Sequence, residues 1–138
     1  MRENMGLYRG KKLKTSVFDA TDWVYGSLID SGNHEQVAIY PWFNGASTMS
    51  VRQLVYARME GVKPETVGQF IGLTDKNGVK IFEGDIIEWD RNEWGSGHRE
   101  LVEWDYSLFS MRKNDWPEFC IVIGNIHDNP ELLEAANV

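Results

Sequence analysis

The apolar positions of this chain fall in short alternating runs separated by frequent turn residues, a pattern that predicts β structure. "KLKTSVFD" and "DWVYGSLID" read as a first hairpin, in which Val24, Gly26 and Leu28 alternate with Trp23, Tyr25 and Ser27. The turn "SGN" at 31–33 leads into a strand within "EQVAIYPWF", where Pro41 suits a strand end or an edge. Residues 50–60, "SVRQLVYARME", fit two templates. Val51, Leu54, Val55 and Met59 form a helical stripe, while Val51, Gln53, Val55, Ala57 and Met59 alternate as in a strand. "KPET" at 63–66 is a corner, with Lys63 held extended by the proline that follows it.

In the second half, "QFIGLT" and "VKIFEG" flank "DKNG", and Asn77-Gly78 is a strong hairpin signal because both residues accept positive φ. "DIIEWD" predicts a strand and "NEWGSGHRE" an exposed glycine-rich loop. "LVEWDYSLFSM" predicts a returning strand with Val102, Trp104, Tyr106 and Leu108 on one face and Glu103 and Asp105 on the other. "EFCIVIGNI" is apolar on both faces and predicts a central strand. "DNPELLEAA" predicts a short helix with Asn129 as N-cap, Pro130 at the first helical position and Glu131 complementing the dipole.

The length of 138 residues suits one domain, or two small lobes sharing a core. A single cysteine, Cys120, excludes an intramolecular disulfide, and its apolar surroundings predict a buried, inert thiol. No apolar run reaches the length that spans a bilayer, and the start "MRENMGLYRGKKLK" has no apolar signal core, so a cytoplasmic location is expected. Charge alters the picture more. The net charge is −7, yet residues 1–14 carry +4, which leaves −11 for the remainder. The stretch 83–105 alone holds −6. An acidic body repels phosphate backbones. The basic first segment can instead pair with acidic surface, within one chain or between copies.

Three segments taken together resemble the YopX family of small bacteriophage and prophage proteins. They are "YRGKKLKTSVFDATDWVYGSLI", "PETVGQFIGLTDKNGVKIFEGDII" and "VIGNIHDNPELLE", in the family's order from Tyr8 to Glu134. The middle segment is the most specific. "TSVFDATDW" stands where the family usually has a shorter turn, and "NEWGSGHRE" is a variable loop. The resemblance implies a β-rich fold with an SH3-like barrel in the C-terminal part. It supplies no catalytic residues to carry over. The fold expected is therefore mainly β, with a β-rich segment at 1–62 and, at 63–138, an SH3-like barrel ending in the short helix.

Candidate chemistry is sparse. Glu83 and Asp85 flank Gly84, and on a continuous strand they would share a face about 7 Å apart, a spacing usable by a hydrolase. The favoured alternative is a bend at Glu83-Gly84 with Asp85 capping backbone amides. Asp75 opens a superficial calcium loop, but the glycine comes too early and the twelfth position is Ile86. His34, His98 and His127 lie in separate segments without metal-ligand spacing. No cofactor or metal motif is present.

Six tryptophans is a high count. Trp23, Trp89 and Trp104 sit on predicted strands and are assigned to the core, whereas Trp94 and Trp116 sit in polar loops. With the basic Arg9, Lys11, Lys12 and Lys14, those two loop tryptophans are the candidate partner-binding residues. Asn77, Gly78, Gly84, Asp85, Asn129 and Pro130 are assigned to turns and caps. The function expected is a non-enzymatic phage or prophage accessory protein acting by binding. A homo-oligomer and a host or phage protein partner are preferred. Nucleic-acid binding through the basic segment is the alternative, a carboxylate-pair hydrolase the weaker one, and no membrane is involved.

Overall fold

A computed structural model describes residues 6–13, 22–42, 48–89, 97–103 and 119–135. It forms two compact units that divide between Gln69 and Phe70.

The first unit, Gly6–Gln69, is built on antiparallel strands β1 (Tyr8–Lys11), β2 (Trp23–Asp30), β3 (Val37–Pro41) and β4 (Glu60–Val62), in the order β4-β3-β2-β1. The start of β5 (Gly68–Thr74) pairs with β1 through Gln69 opposite Tyr8 and Gly68 opposite Arg9. The partner of β2 is thus Tyr8–Lys11, upstream of the "KLKTSVFD" run. After Lys11 the chain is shared between two neighbours: Lys12 N still donates to Asp22 O at 2.8 Å, just before β2, while the following groups turn to β4. Lys12 bridges to Val62, and Leu13 N donates to Gly61 O at 2.9 Å. Residues 14–21 lie outside the described residues.

Period-two alternation sends Val24, Ile39 and Val62 to one side, where Tyr8, Leu28, Val37 and Val67 pack on them. Gly26 is required at the β2–β3 crossing. A Cβ there would stand 1.9 Å from Tyr40 O, a separation no side chain tolerates.

Residues 51–58 are a helix, α1 (Val51–Arg58), which decides between the two templates. The deciding local feature is a capping box. Ser50 Oγ accepts from Gln53 N at 3.2 Å, and Gln53 Oε1 accepts from Ser50 N at 2.9 Å. Met59 returns to extended backbone and feeds β4.

The β2–β3 loop is organised by Asp30. Its Oδ1 accepts from Gly32 N at 2.8 Å and His34 N at 3.2 Å, and its Oδ2 faces His34 Nδ1. His34 adopts a φ of 63°, the one non-glycine positive value among the described residues. The Gly32 amide first, and then His34, hold the Asp30 carboxyl below the usual carboxylate range.

In the second unit, β5 continues into a hairpin with β6 (Lys80–Phe82). Strand β7 (Asp85–Trp89) lies between β8 (Arg99–Leu101) and β9 (Cys120–Asn125), both antiparallel to it. Ile71, Ile81, Ile87, Trp89, Val102 and Cys120 form the buried core, with Leu73, Phe119 and Val122 packed against it.

Two expectations change here. Among the described residues, the central strand of the three is β7, and β9 pairs with a described strand on one side only. Apolarity on both faces did not distinguish a central strand from an edge that other groups cover. Trp23 also lies outside the core cluster, on the opposite face of β2 from Val24 and Leu28. The chain closes with helix α2 (Glu131–Ala135). The "LVEWDYSLFSM" run from 104 onward, with Trp104, Tyr106 and Leu108, lies outside the described residues.

Gly26→Ala should lower stability by about 1–3 kcal/mol, because the added methyl group overlaps a carbonyl of the neighbouring strand. A urea melt beside wild type checks this, and an unchanged midpoint counts against the close approach.

A second prediction concerns pH. Since folding lowers the Asp30 pKa, its contribution is fully present above the unfolded value of about 3.9 and is lost as pH falls through the lower folded value. Carboxyl-detected NMR should place the Asp30 midpoint below that of a model peptide. The stability difference between wild type and Asp30→Asn should shrink as pH is lowered through that midpoint.

Candidate functional site

Backbone amides claim two carboxylates of the second unit. Asp75 begins the hairpin tip, where its N–H donates to Val79 O at 2.8 Å and Gly78 N donates to Asp75 O at 3.0 Å. Its Oδ1 accepts from Asn77 N at 2.8 Å and Val79 N at 2.9 Å, and its Oδ2 accepts from Val122 N on β9 at 2.9 Å. Lys76 N donates to Cys120 O at 3.1 Å, so the tip occupies the side of β9 away from β7. Gly78 takes a φ of 81°, while Asn77 keeps a negative value because the turn is closed by the Asp75 carboxylate.

Asp85 is 1% exposed, and its Oδ2 accepts from Phe82 N at 2.7 Å. Glu83 and Gly84 form the turn between, with Gly84 at φ 90°, the positive value a type II turn takes at that position. Glu83 and Asp85 therefore do not share one continuous strand face. Gly84 N donates to Val102 O and its carbonyl accepts from Ile126 N, so the corner is bonded on both sides.

At the chain's end, Asn129 Oδ1 accepts from Asn125 N at 3.3 Å, while Leu132 N donates to Asn129 O and Leu133 N to Pro130 O. Asn125 Oδ1 accepts from His127 N and Asp128 N. His98 lies 3.5 Å from Glu100, and Arg99 bonds Glu88 at 2.9 Å and Leu132 O at 3.0 Å. Among the described residues no group of three or more His, Cys, Asp or Glu side chains converges on a metal position. No helix among them is long and apolar enough to cross a membrane.

The surface that stands out is in the first unit, on the side of the sheet opposite Val24, Ile39 and Val62. Register puts Arg9 opposite Tyr25, Lys11 opposite Trp23, and Tyr40 opposite Ser27, all on that side. The Arg9 guanidinium carbon lies 4.8 Å from the centre of the Trp23 ring, and Lys11 Nζ lies 5.7 Å from it. Contacts of this kind contribute about 0.5–2 kcal/mol. Lys11 also meets Asp22 at 3.4 Å. Arg9 is buried and Lys11 largely so, and Lys12 N donates to Asp22 O.

Tyr25 and Trp42 differ from these, at 43% and 44% exposure. Trp42 N donates to Tyr25 O at 3.3 Å, and its Nε1 donates to Ser27 Oγ at 2.7 Å. The indole is thus fixed in orientation while its surface stays open to solvent.

A family model described as YopX protein matches residues 18–134. The chain belongs to the YopX family. No curated protein matches it. The crystal structure of protein EF1440 from Enterococcus faecalis is similar to this YopX-family chain with a TM-score of 0.51 and 20% identity. The match covers 93% of this chain and 96% of that one, and it shows likeness of fold.

Of the partner-binding candidates, Arg9 and Lys11 are brought together on Trp23, and Lys12 is placed beside Asp22 and Val62. Lys14, Trp94 and Trp116 lie outside the described residues. Sequence reasoning missed Tyr25 and Trp42 as a surface. The available signal was that both alternating sets of "DWVYGSLID" carry large side chains, which one buried face does not require. It also missed the role of Asp75, although Asp-x-Asn-Gly is a composition in which aspartate bonds the amides that follow it.

Asp75→Ala should cost about 2–4 kcal/mol, because three backbone N–H groups lose their acceptor. Asp75→Asn keeps an acceptor for Asn77 and Val79 but turns an N–H₂ towards Val122 N. It should still cost about 1–3 kcal/mol. Chemical denaturation of both variants checks this, and an Asn variant as stable as wild type would sink the three-amide account.

Proposed function

We propose that this YopX-family protein is a non-enzymatic phage or prophage accessory protein that acts by binding, and that the aromatic face of β1–β3 is its binding surface. One observation carries this reading: the Trp42 indole is held by Ser27 beside Tyr25, and both rings remain substantially exposed on the side of the sheet away from the core cluster. Fixed aromatic surface costs solvation and confers nothing on the core, whereas it is the material from which binding hot spots are made. The phage setting follows from what the family resemblance implies. So does our reading of the second unit as an SH3-like barrel, and a cytoplasmic setting in the host is proposed with it.

Self-association belongs to the same proposal. Its support is the uneven charge, +4 over residues 1–14 against −11 over the rest, which can orient two copies. A double variant, Tyr25→Ala with Trp42→Ala, should melt within about 1 kcal/mol of wild type, since both residues are surface positions. In parallel captures from host lysate, scored for protein and for nucleic acid, the variant should lose the partner that wild type retains. Identical captures would reject this face as the binding surface. Sedimentation of wild type as a strict monomer at about 10–50 µM, ordinary concentrations for a specific oligomer, would reject self-association.

A further inference from the structure

The turn that carries the Asp75 bonds also holds a reactive pair. Asn-Gly occurs twice in the sequence, at 44–45 and 77–78, and the second pair lies within the described residues, at the tip of the β5–β6 hairpin. An asparagine side-chain amide is open to attack by the backbone nitrogen of the next residue, and a following glycine has no Cβ to obstruct that approach. Asn77 and Gly78 are both exposed, and a Cβ built at Gly78 would meet nothing within 4 Å. Water therefore reaches the pair.

The same atoms serve the fold. Gly78 N, the nucleophile of such an attack, donates to Asp75 O at 3.0 Å. The amides on either side of it, Asn77 N and Val79 N, both donate to Asp75 Oδ1. A nitrogen whose proton is held in a hydrogen bond, between two amides gathered on a carboxylate, is a poor source of an amide anion, because the nearby negative charge opposes it. Asp75 is itself held in place. It is 5% exposed, its Oδ2 accepts from Val122 N, and the next amide, Lys76 N, donates to Cys120 O. The docked tip restrains the pair, and departure of the tip from β9 releases it.

We propose that Asn77-Gly78 is a covalent modification site gated by the Asp75 turn, stable while the tip is docked on β9 and converted to aspartate and isoaspartate once the tip opens. Gly78 N gives its proton to solvent base and forms a bond to Asn77 Cγ. The Cγ–Nδ2 bond breaks and ammonia leaves with a proton from water, which gives a cyclic imide. Water then opens the imide. Cleavage of the new Cγ–N bond leaves aspartate at position 77, whereas cleavage of the original peptide bond leaves isoaspartate, with the main chain running through Cγ. Water is the one co-reactant, and nothing is oxidised or reduced. Either product adds a carboxylate beside that of Asp75. Isoaspartate also lengthens the backbone between the two amides that Asp75 Oδ1 accepts from. The three-amide arrangement does not re-form on such a chain, so a reversible opening becomes permanent.

The test follows the full chain in mildly alkaline buffer by peptide mapping, which reads positions 77 and 44 separately, with enzymatic methylation of isoaspartate as a second readout. Conversion at Asn77 in native wild type should be at least about tenfold slower than in the same chain unfolded in guanidinium chloride, since only the locally open fraction reacts. Asp75→Ala should raise the native rate about fivefold or more, while Gly26→Ala, which weakens the first unit, should leave it within about twofold of wild type. Asp75→Asn, expected to lose the Val122 bond and keep the turn's own, should fall between, and it carries the comparison if the alanine variant does not fold. The converted chain, separated by its added charge, should exchange the Val122 amide hydrogen at least about tenfold faster than the unconverted chain.

Equal rates in native and unfolded wild type would overturn the gate, and no conversion at Asn77 in the unfolded chain would overturn the site. Equal acceleration by Gly26→Ala and Asp75→Ala would assign the reaction to general unfolding and reject control by the tip. Unchanged Val122 exchange in the converted chain would overturn the permanence of the opening.

Discussion

A carboxylate surrounded by backbone amides sets the architecture of the second unit. Asp75 closes the β5–β6 tip on itself and, through its other oxygen, bonds Val122 of β9. An edge strand presents unpaired amides and carbonyls and is a template for wrong pairing. Here the hairpin tip answers that hazard, using the Asp75 side chain for one amide and Lys76 N for the Cys120 carbonyl. The hairpin and the β7–β9 pair therefore share hydrogen bonds as well as the core around Ile71, Ile81 and Ile87. Removal of the carboxylate would affect a turn and a sheet edge together.

The first unit solves a different problem. Its core side is a conventional set of branched aliphatics around Val24, Ile39 and Val62. On the other side the cations of β1 are drawn over Trp23, leaving Tyr25 and Trp42 as the open part of the surface. The basic start of the chain is thus partly absorbed into local structure. A charge count treats all its lysines and arginines as available, whereas Arg9 is 6% exposed.

Much of the mainly-β organisation was legible because alternation and turn chemistry are local. "DWVYGSLID", "VKIFEG" and "DIIEWD" each contain a strand of the structure, and "QFIGLT" covers all of its strand but Gly68. Residues 51–58 satisfied both periods, and the tie was broken by Ser50 and Gln53, whose spacing is a helix-start signal in its own right. The docking of the hairpin tip on β9 was not legible, since burial by a hairpin tip and burial by a neighbouring strand demand the same apolar residues. The face was not legible either. Placing Arg9 opposite Tyr25, and Lys11 opposite Trp23, depends on a register between segments more than ten residues apart. Alternation shows that Trp23 and Tyr25 share a side, but it does not show which side meets the core.

The position of Cys120 carries one more consequence. It is the chain's single thiol, it has no exposed surface, and its carbonyl receives the Lys76 amide beside the Asp75 bonds. A thiol reagent in solution reaches such a sulfur only when the surrounding structure opens. The rate of Cys120 labelling is therefore a built-in clock for detachment of the hairpin tip from β9, readable on the native chain without adding a probe.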